Sequence, residues 1–308
     1  MADVIVINKV IVNLLLVAVG YLIKRTGLVT RDDGRILNRV VLYVTLPAMN
    51  LKVISTAELS WTLLILPAVF FLSSVLISQF GRVPARRLGL SRLDMGTFLV
   101  SLCGVMGSLA YPFAEAAYGD EGIRIVAISD LGNAIGIFGL AYAISHLYAG
   151  DGQISARDIL RRLLGFFPLH AFLIALAFNL LKIQFSGVLG GLLESLASMN
   201  TPLMLVALGV YLEFDVSLRE GRVLLAQLLT KYGTGLVVAL FCLLVLPFRG
   251  ATRAVAFMFP LMSTSLSTLL YSVEQDLNPR LAAMLISLTM VVSLVIAAVV
   301  VIGFRNAF

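Results

Sequence analysis

Asp130 lies in AISDLGNAIGIF and Lys231 in LLTKYGTGLVV, both within long apolar runs. A charge at the depth of a bilayer core costs at least about 2.5 to 3.5 kcal/mol unless it is paired or wetted, so such residues mark substrate or ion pathways. Asp130 falls about eight residues, roughly 12 Å, into its segment, and Lys231 about nine residues into its own from the opposite side. Both are therefore placed near mid-depth. A carboxyl group there can carry a proton, and an ammonium can balance an anion. Asn133, one turn after Asp130, shares its helix face. The alternative for the two charges is a structural role, as an ion pair or as partners of freed backbone in interrupted helices.

Two further stretches carry polar chemistry inside apolar sequence. SLCGVMGSLAYPFAEAAY, from Ser101 to Tyr118, sets Gly104, Gly107, Ser108 and Tyr111 before Pro112. TRAVAFMFPLMSTSLSTLLYS, from Thr252 to Ser272, follows Pro260 with Ser263, Thr264 and Ser265. Proline removes a helical donor and glycine loosens the backbone, so both stretches read as broken helices with unpaired peptide groups at mid-depth. Interrupted segments at matching places in two halves of a chain point to a transporter's binding site. Pro47 and Pro202 also lie in apolar segments, so proline alone decides little, and the polar neighbours carry the distinction.

These residues must be held by a membrane-embedded frame. With 60% hydrophobic and 13% charged residues over 308, the chain lacks the polar surface of a soluble globule. Each helical span takes about 20 apolar residues. Ten candidates follow, near 3–23, 35–54, 61–80, 95–118, 122–148, 163–182, 188–213, 222–246, 252–273 and 280–303. No length remains for a nucleotide-binding module or a separate soluble domain. The N-terminal MADVIVINKV lacks a basic leader region, so the first segment is expected to be a retained helix. Cys103 and Cys242 have no second cysteine or histidine at ligand spacing, which argues against a metal site or a disulfide. His146 and His170 fall near span ends, Lys9 reads as an interfacial anchor, and Glu213 and Asp215 cap the inner end of the seventh span.

Lys24, Arg25, Arg31, Arg35, Arg39, Arg82, Arg86, Arg87, Arg92, Arg157, Arg161, Arg162, Arg219, Arg222 and Arg280 fall on one side of this arrangement. Only Lys52, Arg124, Lys182, Arg249, Arg253 and Arg305 fall on the other. The positive-inside rule makes the first side cytoplasmic and both termini extracytoplasmic. The net charge of +6 is mostly this bias and calls for no nucleic-acid partner. Ten spans with both ends on one side divide into five and five, which forces the second set to be inverted. The expected fold is an all-α membrane protein of two inverted five-helix repeats, 1–148 and 149–308, with helices 4 and 9 broken and crossing. LPAMNL at 46–51 and TPLMLVALG at 201–209 are an internal echo of that repeat.

GYLIKRTGLV (20–29), RILNRVVLYVTLPAMNL (35–51), the GxxGxxxxP run from Gly104 to Pro112, GDEGIRIVAISDLGNAIGIF (119–138) and the segment around Pro260 together resemble the auxin efflux carrier family. These are PIN-like transporters within the bile acid/sodium symporter superfamily. The resemblance implies a scaffold of spans 1, 2, 6 and 7, and a transport unit of spans 3–5 and 8–10 in which spans 4 and 9 cross. It also implies an organic-anion substrate. Where many relatives have asparagine and threonine between the two glycines, this chain has Val105 and Met106.

The sequence thus predicts a secondary transporter for a small carboxylate or auxin-like acid, moving by an elevator mechanism in the cell membrane. Its substrate contacts are Gly104, Gly107, Ser108, Tyr111, Pro112, Pro260, Ser263, Thr264 and Ser265. Asp130, Asn133 and Lys231 serve as coupling groups. No cofactor is expected beyond a coupling Na+ or H+, and a homodimer through the scaffold helices is compatible with the arrangement. No nucleophile, base and orienting group occur together at a recognisable spacing, which argues against an enzyme. The alternatives are a non-transporting receptor or sensor on the same fold and a sodium-coupled bile-acid-type symporter.

Overall fold

A computed structural model describes residues 2–57, 61–150, 155–183, 185–212 and 220–304. Glu213, Asp215, Arg219 and Arg305 lie outside the described residues. The helices in order are α1 (Ala2–Arg25), α2 (Arg31–Val40), α3 (Leu46–Ser55), α4 (Ile65–Arg87), α5 (Arg92–Val100), α6 (Gly107–Ile135), α7 (Tyr142–Ala149), α8 (Ala156–Leu164), α9 (Phe167–Leu180), α10 (Gly187–Ser198), α11 (Asn200–Tyr211), α12 (Gly221–Leu244), α13 (Gly250–Met258), α14 (Ser267–Glu274) and α15 (Pro279–Phe304). Among the described residues no strand forms, and Val105 and Thr264 make an isolated antiparallel bridge.

Among the described residues, six helices can cross a membrane by length and apolar composition, and a seventh span results if the bent pair α8 and α9 counts as one. Ten were expected. Local backbone chemistry accounts for the difference. The second expected segment is divided by a π-helical turn at Val41–Thr45. The fourth and ninth contain the short helices α5, α13 and α14. The fourth and fifth run together as α6, which turns at Gly119 with φ 59° and ψ −140°. That backbone conformation is open to glycine and strained for other residues.

Close backbone packing fixes the frame. α1 lies against α11 with Gly20 and Gly209 face to face, so a methyl on Gly209 would fall 2.8 Å from the Tyr21 nitrogen. α3 lies against α9, where the Asn179 side chain donates to the carbonyls of Ile54 (3.0 Å), Ser55 (3.1 Å) and Ala57 (2.8 Å). α4 packs on α6 through Gly132, where a Cβ would overlap the Pro67 carbonyl oxygen. Overpacking of this kind costs about 1 to 3 kcal/mol. Gly132→Ala should therefore lower the melting temperature in detergent. Gly233→Ala on α12, with open space around it, should not lower it.

Candidate functional site

Helix α5 stops at Val100 and α6 starts at Gly107. On the other half of the chain, a 3-10 turn at Phe259–Leu261 follows α13, and α14 starts at Ser267. The two non-helical stretches meet. The Met106 N–H donates to the Ser263 carbonyl at 2.7 Å, beside the Val105–Thr264 bridge. Peptide groups that lost their helical partners thus find one another, as burial requires.

Asn133 holds the first stretch in place. Its amide nitrogen donates to the Val105 carbonyl (2.9 Å) and to Asp130 Oδ1 (2.7 Å), while its oxygen accepts from the Val105 N–H (2.8 Å). Only a primary amide offers both a donor and an acceptor in this geometry. The Asp130 carboxyl group lies against the first residue of α6, where a methyl on Gly107 would fall 2.6 Å from Asp130 Cγ and 2.9 Å from Oδ2. Gly107 therefore permits the contact, and the positive end of the α6 dipole faces the carboxylate. This end, expected for a substrate anion, is taken by Asp130 itself.

Asp130 and Tyr111 open onto a cavity of about 20 Å3, which they share with Leu46, Asn50, Phe166 and Phe172. That volume admits about one water. Asn50 is 3% exposed, and its amide oxygen has no partner among the described residues. A buried unsatisfied polar atom costs about 1 to 3 kcal/mol, which a bound donor relieves.

A second cavity of about 20 Å3 is lined by Lys231 with Ser73, Ser74, Gly104, Asn133 and Pro260. Lys231 is 3% exposed. Gly235, one turn further along α12, would place a methyl 2.8 Å from the Pro260 carbonyl oxygen, so this helix sits hard against the second stretch. The ion pair between Asp130 and Lys231 is not formed. Among the described residues the ion pairs are Asp32–Arg35, Lys52–Glu194 and Arg162–Glu274. The two charges open onto different cavities, and Asn133 bonds the first and lines the cavity of the second.

The hydroxyl groups expected at the substrate are engaged elsewhere. Thr264 donates to the Ser101 carbonyl at 3.1 Å and receives the Gln227 amide at 3.2 Å. Ser263 pairs with Thr289 at 3.0 Å, and Ser265 accepts from the Ser267 N–H at 3.2 Å as α14 begins. Ser108, Pro112, Ser263, Thr264 and Ser265 line neither cavity. Pro112 does not mark the first interruption. It lies inside α6, and its carbonyl accepts from Asn13 at 3.0 Å. Asn50, Gln227 and Thr289 are not among the expected site residues. Gln227, whose Oε1 is unpartnered, was visible as the polar residue one turn before Lys231. Cys103 and Cys242 are buried free thiols, and no cluster of metal-ligating side chains occurs among the described residues.

Known proteins similar to this chain are membrane transporters. The chain is 29% identical over 296 residues to an uncharacterized transporter of Methanothermobacter thermautotrophicus, covering 92% of this chain and 93% of the relative. It is 24% identical over 312 residues to an uncharacterized transporter of Methanocaldococcus jannaschii, covering 94% and 96%. The family described as membrane transport protein matches residues 5–301. The chain therefore belongs to the membrane transport protein family, that of the auxin efflux carriers, and is a multi-pass membrane protein of a transporter family.

Proposed function

We propose that the chain is a secondary transporter of ten spans in two inverted repeats, carrying a small organic anion with a proton through the cytoplasmic membrane. In this reading α5 with the start of α6 is span 4, and α13 with α14 is span 9. The observation that carries it is the meeting of the two helix interruptions at the Met106–Ser263 hydrogen bond, beside Asp130 on Gly107. The packing fits an inverted repeat. Exchanging the halves turns the span pair 1 and 7 into 6 and 2, and α1 packs on α11 as α3 packs on α9. Thr45 and Asn200, each two residues before a proline, bond to one another at 2.9 Å, as residues near such an axis would.

The resemblance to the auxin efflux carriers and the lining of the Asp130 cavity support an anion. Phe166, Phe172 and Leu46 offer an apolar wall, while Asn50 and Tyr111 offer polar groups, and the one-water space between them widens to admit the substrate as the transport unit moves. Two carboxylates in contact repel, so a carboxylate entering beside Asp130 shares a proton with it. Lys231, in the neighbouring cavity, supplies positive charge at the same depth. The elevator movement carries spans 3–5 and 8–10 past spans 1, 2, 6 and 7, with the Asp130 cavity at their boundary.

Uptake of labelled mono- and dicarboxylic acids into proteoliposomes, with imposed proton or sodium gradients, tests this reading. Proton-driven accumulation of at least one acid is expected. Binding without flux would make the protein a receptor, and strict dependence on sodium would exclude the proton. Orientation is tested separately in a background of Cys103→Ser and Cys242→Ser. The exposed positions Arg87 and Arg249, each replaced by cysteine, should label oppositely with an impermeant reagent, Arg249→Cys from outside. Labelling of Arg87→Cys in intact cells would overturn the topology.

A further inference from the structure

Helix α8 has three distinct sectors. Successive residues turn by about 100°, and Ile159, Arg162 and Leu163 are half-buried on the side facing the protein. Next around the helix, Leu160 and Leu164 are 55% and 54% exposed. The remaining sector holds Arg157, Asp158 and Arg161, all exposed. An apolar strip open to the outside, bordered on its solvent side by Arg157 and Arg161, is the pattern of a helix lying in a membrane interface, with its leucines among acyl chains and its arginines at headgroup level.

The geometry fits that placement. α8 meets α9 at 65°, so its nine residues advance only about 6 Å along the α9 axis at 1.5 Å per residue. Its start is set by a capping box, in which the Ser155 side chain accepts from the Asp158 N–H at 3.2 Å and Asp158 accepts from the Ser155 N–H at 3.2 Å. The Ser155 hydroxyl, which donates to the Asp158 carboxylate at 2.7 Å, and then the Ser155 N–H hold that carboxyl below its ordinary range and keep it at the helix start. On the protein side, Arg162 pairs with Glu274 at 2.8 Å and lies 4.1 Å from the Tyr142 ring centroid. The helix is thus anchored at its inner face while its leucines and two arginines point away.

We propose that α8 is an interfacial helix that gathers anionic lipid, with Arg157 and Arg161 contacting headgroup phosphates and Leu160 and Leu164 entering the acyl layer. The partner is the anionic leaflet itself. Arg157 and Arg161 are four residues apart and share a face, so they can meet adjacent headgroups, and neither is needed for the Glu274 contact. Through Arg162, the lipid-bound helix holds the end of α14, which follows the interruption at Ser263.

The test uses the full chain with Cys103→Ser and Cys242→Ser and a bimane fluorophore on Leu160→Cys. The protein is reconstituted in vesicles carrying either dibrominated phosphatidylglycerol among phosphatidylcholine or dibrominated phosphatidylcholine among phosphatidylglycerol. A basic residue near an anionic surface changes local lipid occupancy by about fivefold. Half-maximal quenching by the brominated anionic lipid is therefore expected at a mole fraction about fivefold lower than for the neutral one. Arg157→Gln with Arg161→Gln should bring the two lipids to parity while quenching persists, because Leu164 and the apolar fluorophore at position 160 remain. Absence of quenching by either lipid would put the helix in water and overturn the proposal. Parity with both arginines present, or preference surviving their removal, would equally overturn it. None of these outcomes depends on substrate or transport.

Discussion

Asp130→Asn should abolish stimulation of uptake by a pH gradient and reduce proton-driven accumulation by at least about tenfold, a loss of roughly 1.4 kcal/mol or more. The substitution keeps the size of the side chain. It also keeps an oxygen for the 2.7 Å bond from Asn133, so the backbone around Gly107 is retained. It removes the ability to gain and lose a proton, together with the negative charge that faces the start of α6. Acid binding should remain measurable because Asn50, Tyr111 and the aromatic wall of the cavity are unchanged. Gradient-driven uptake at the level of the unmodified protein would make Asp130 a structural partner of the α6 terminus.

Asn133→Ala should be the most damaging change outside the substrate contacts. It removes three hydrogen bonds at once and leaves both the N–H and the carbonyl of Val105 without their side-chain partner. The Val105 carbonyl keeps the Gly107 N–H at 3.1 Å, so one buried peptide group, the Val105 N–H, is left unpaired, at a cost of about 1 to 3 kcal/mol. Melting in detergent should fall well below that of Asp130→Asn, and transport should be lost. Asn133→Asp is a sharper probe. It restores an acceptor for the Val105 N–H but sets an oxygen against the Val105 carbonyl, so it should rescue little. Near-normal stability in both variants would show that the stretch between α5 and α6 is held by other contacts.

Some of this site could be read directly from the chain. Asp130 and Lys231 stood out because long apolar runs surround them, and Asn133 followed from helical spacing. The partners of these residues could not be read. Whether Lys231 faces Asp130 depends on how α12 is turned, and that is fixed by the contact of Gly235 with the Pro260 carbonyl. Proline also misled. The first interruption is held by Asn133 and lies between Val100 and Gly107, while Pro112 sits inside the following helix. The glycine pair was the better signal, since Gly104 and Gly107 both stand where a Cβ would crowd the Asn133 or Asp130 side chain.

The same limit applies to the hydroxyl groups. Ser263, Thr264 and Ser265 are three polar residues in an apolar segment, which marks an opening in the backbone, and the structure has one there. Composition does not say whether such groups face a ligand or one another. Here Thr289 and Gln227, distant in sequence, engage two of them. Asn50 was legible as a polar residue within a span, but its importance rests on an unpartnered oxygen, which only geometry reveals. That the chain is built of long apolar helices was legible from apolar length, and six or seven of them among the described residues are long and apolar enough to span a membrane. Their subdivision was not, because a π turn at Val41–Thr45 and a positive φ at Gly119 arise from local backbone choices within apolar sequence.

The central claim, that an anion binds beside Asp130 together with a proton, is tested most directly by counting protons on binding. Titration calorimetry of the purified protein with an acid that it transports, in two buffers of different ionisation enthalpy at one pH, gives the number of protons taken up per anion. The account predicts a net uptake for the unmodified protein at a pH where Asp130 is ionised, rising toward one, and none for Asp130→Asn. Equal binding enthalpies in the two buffers for the unmodified protein, across the pH range where binding is seen, would contradict it.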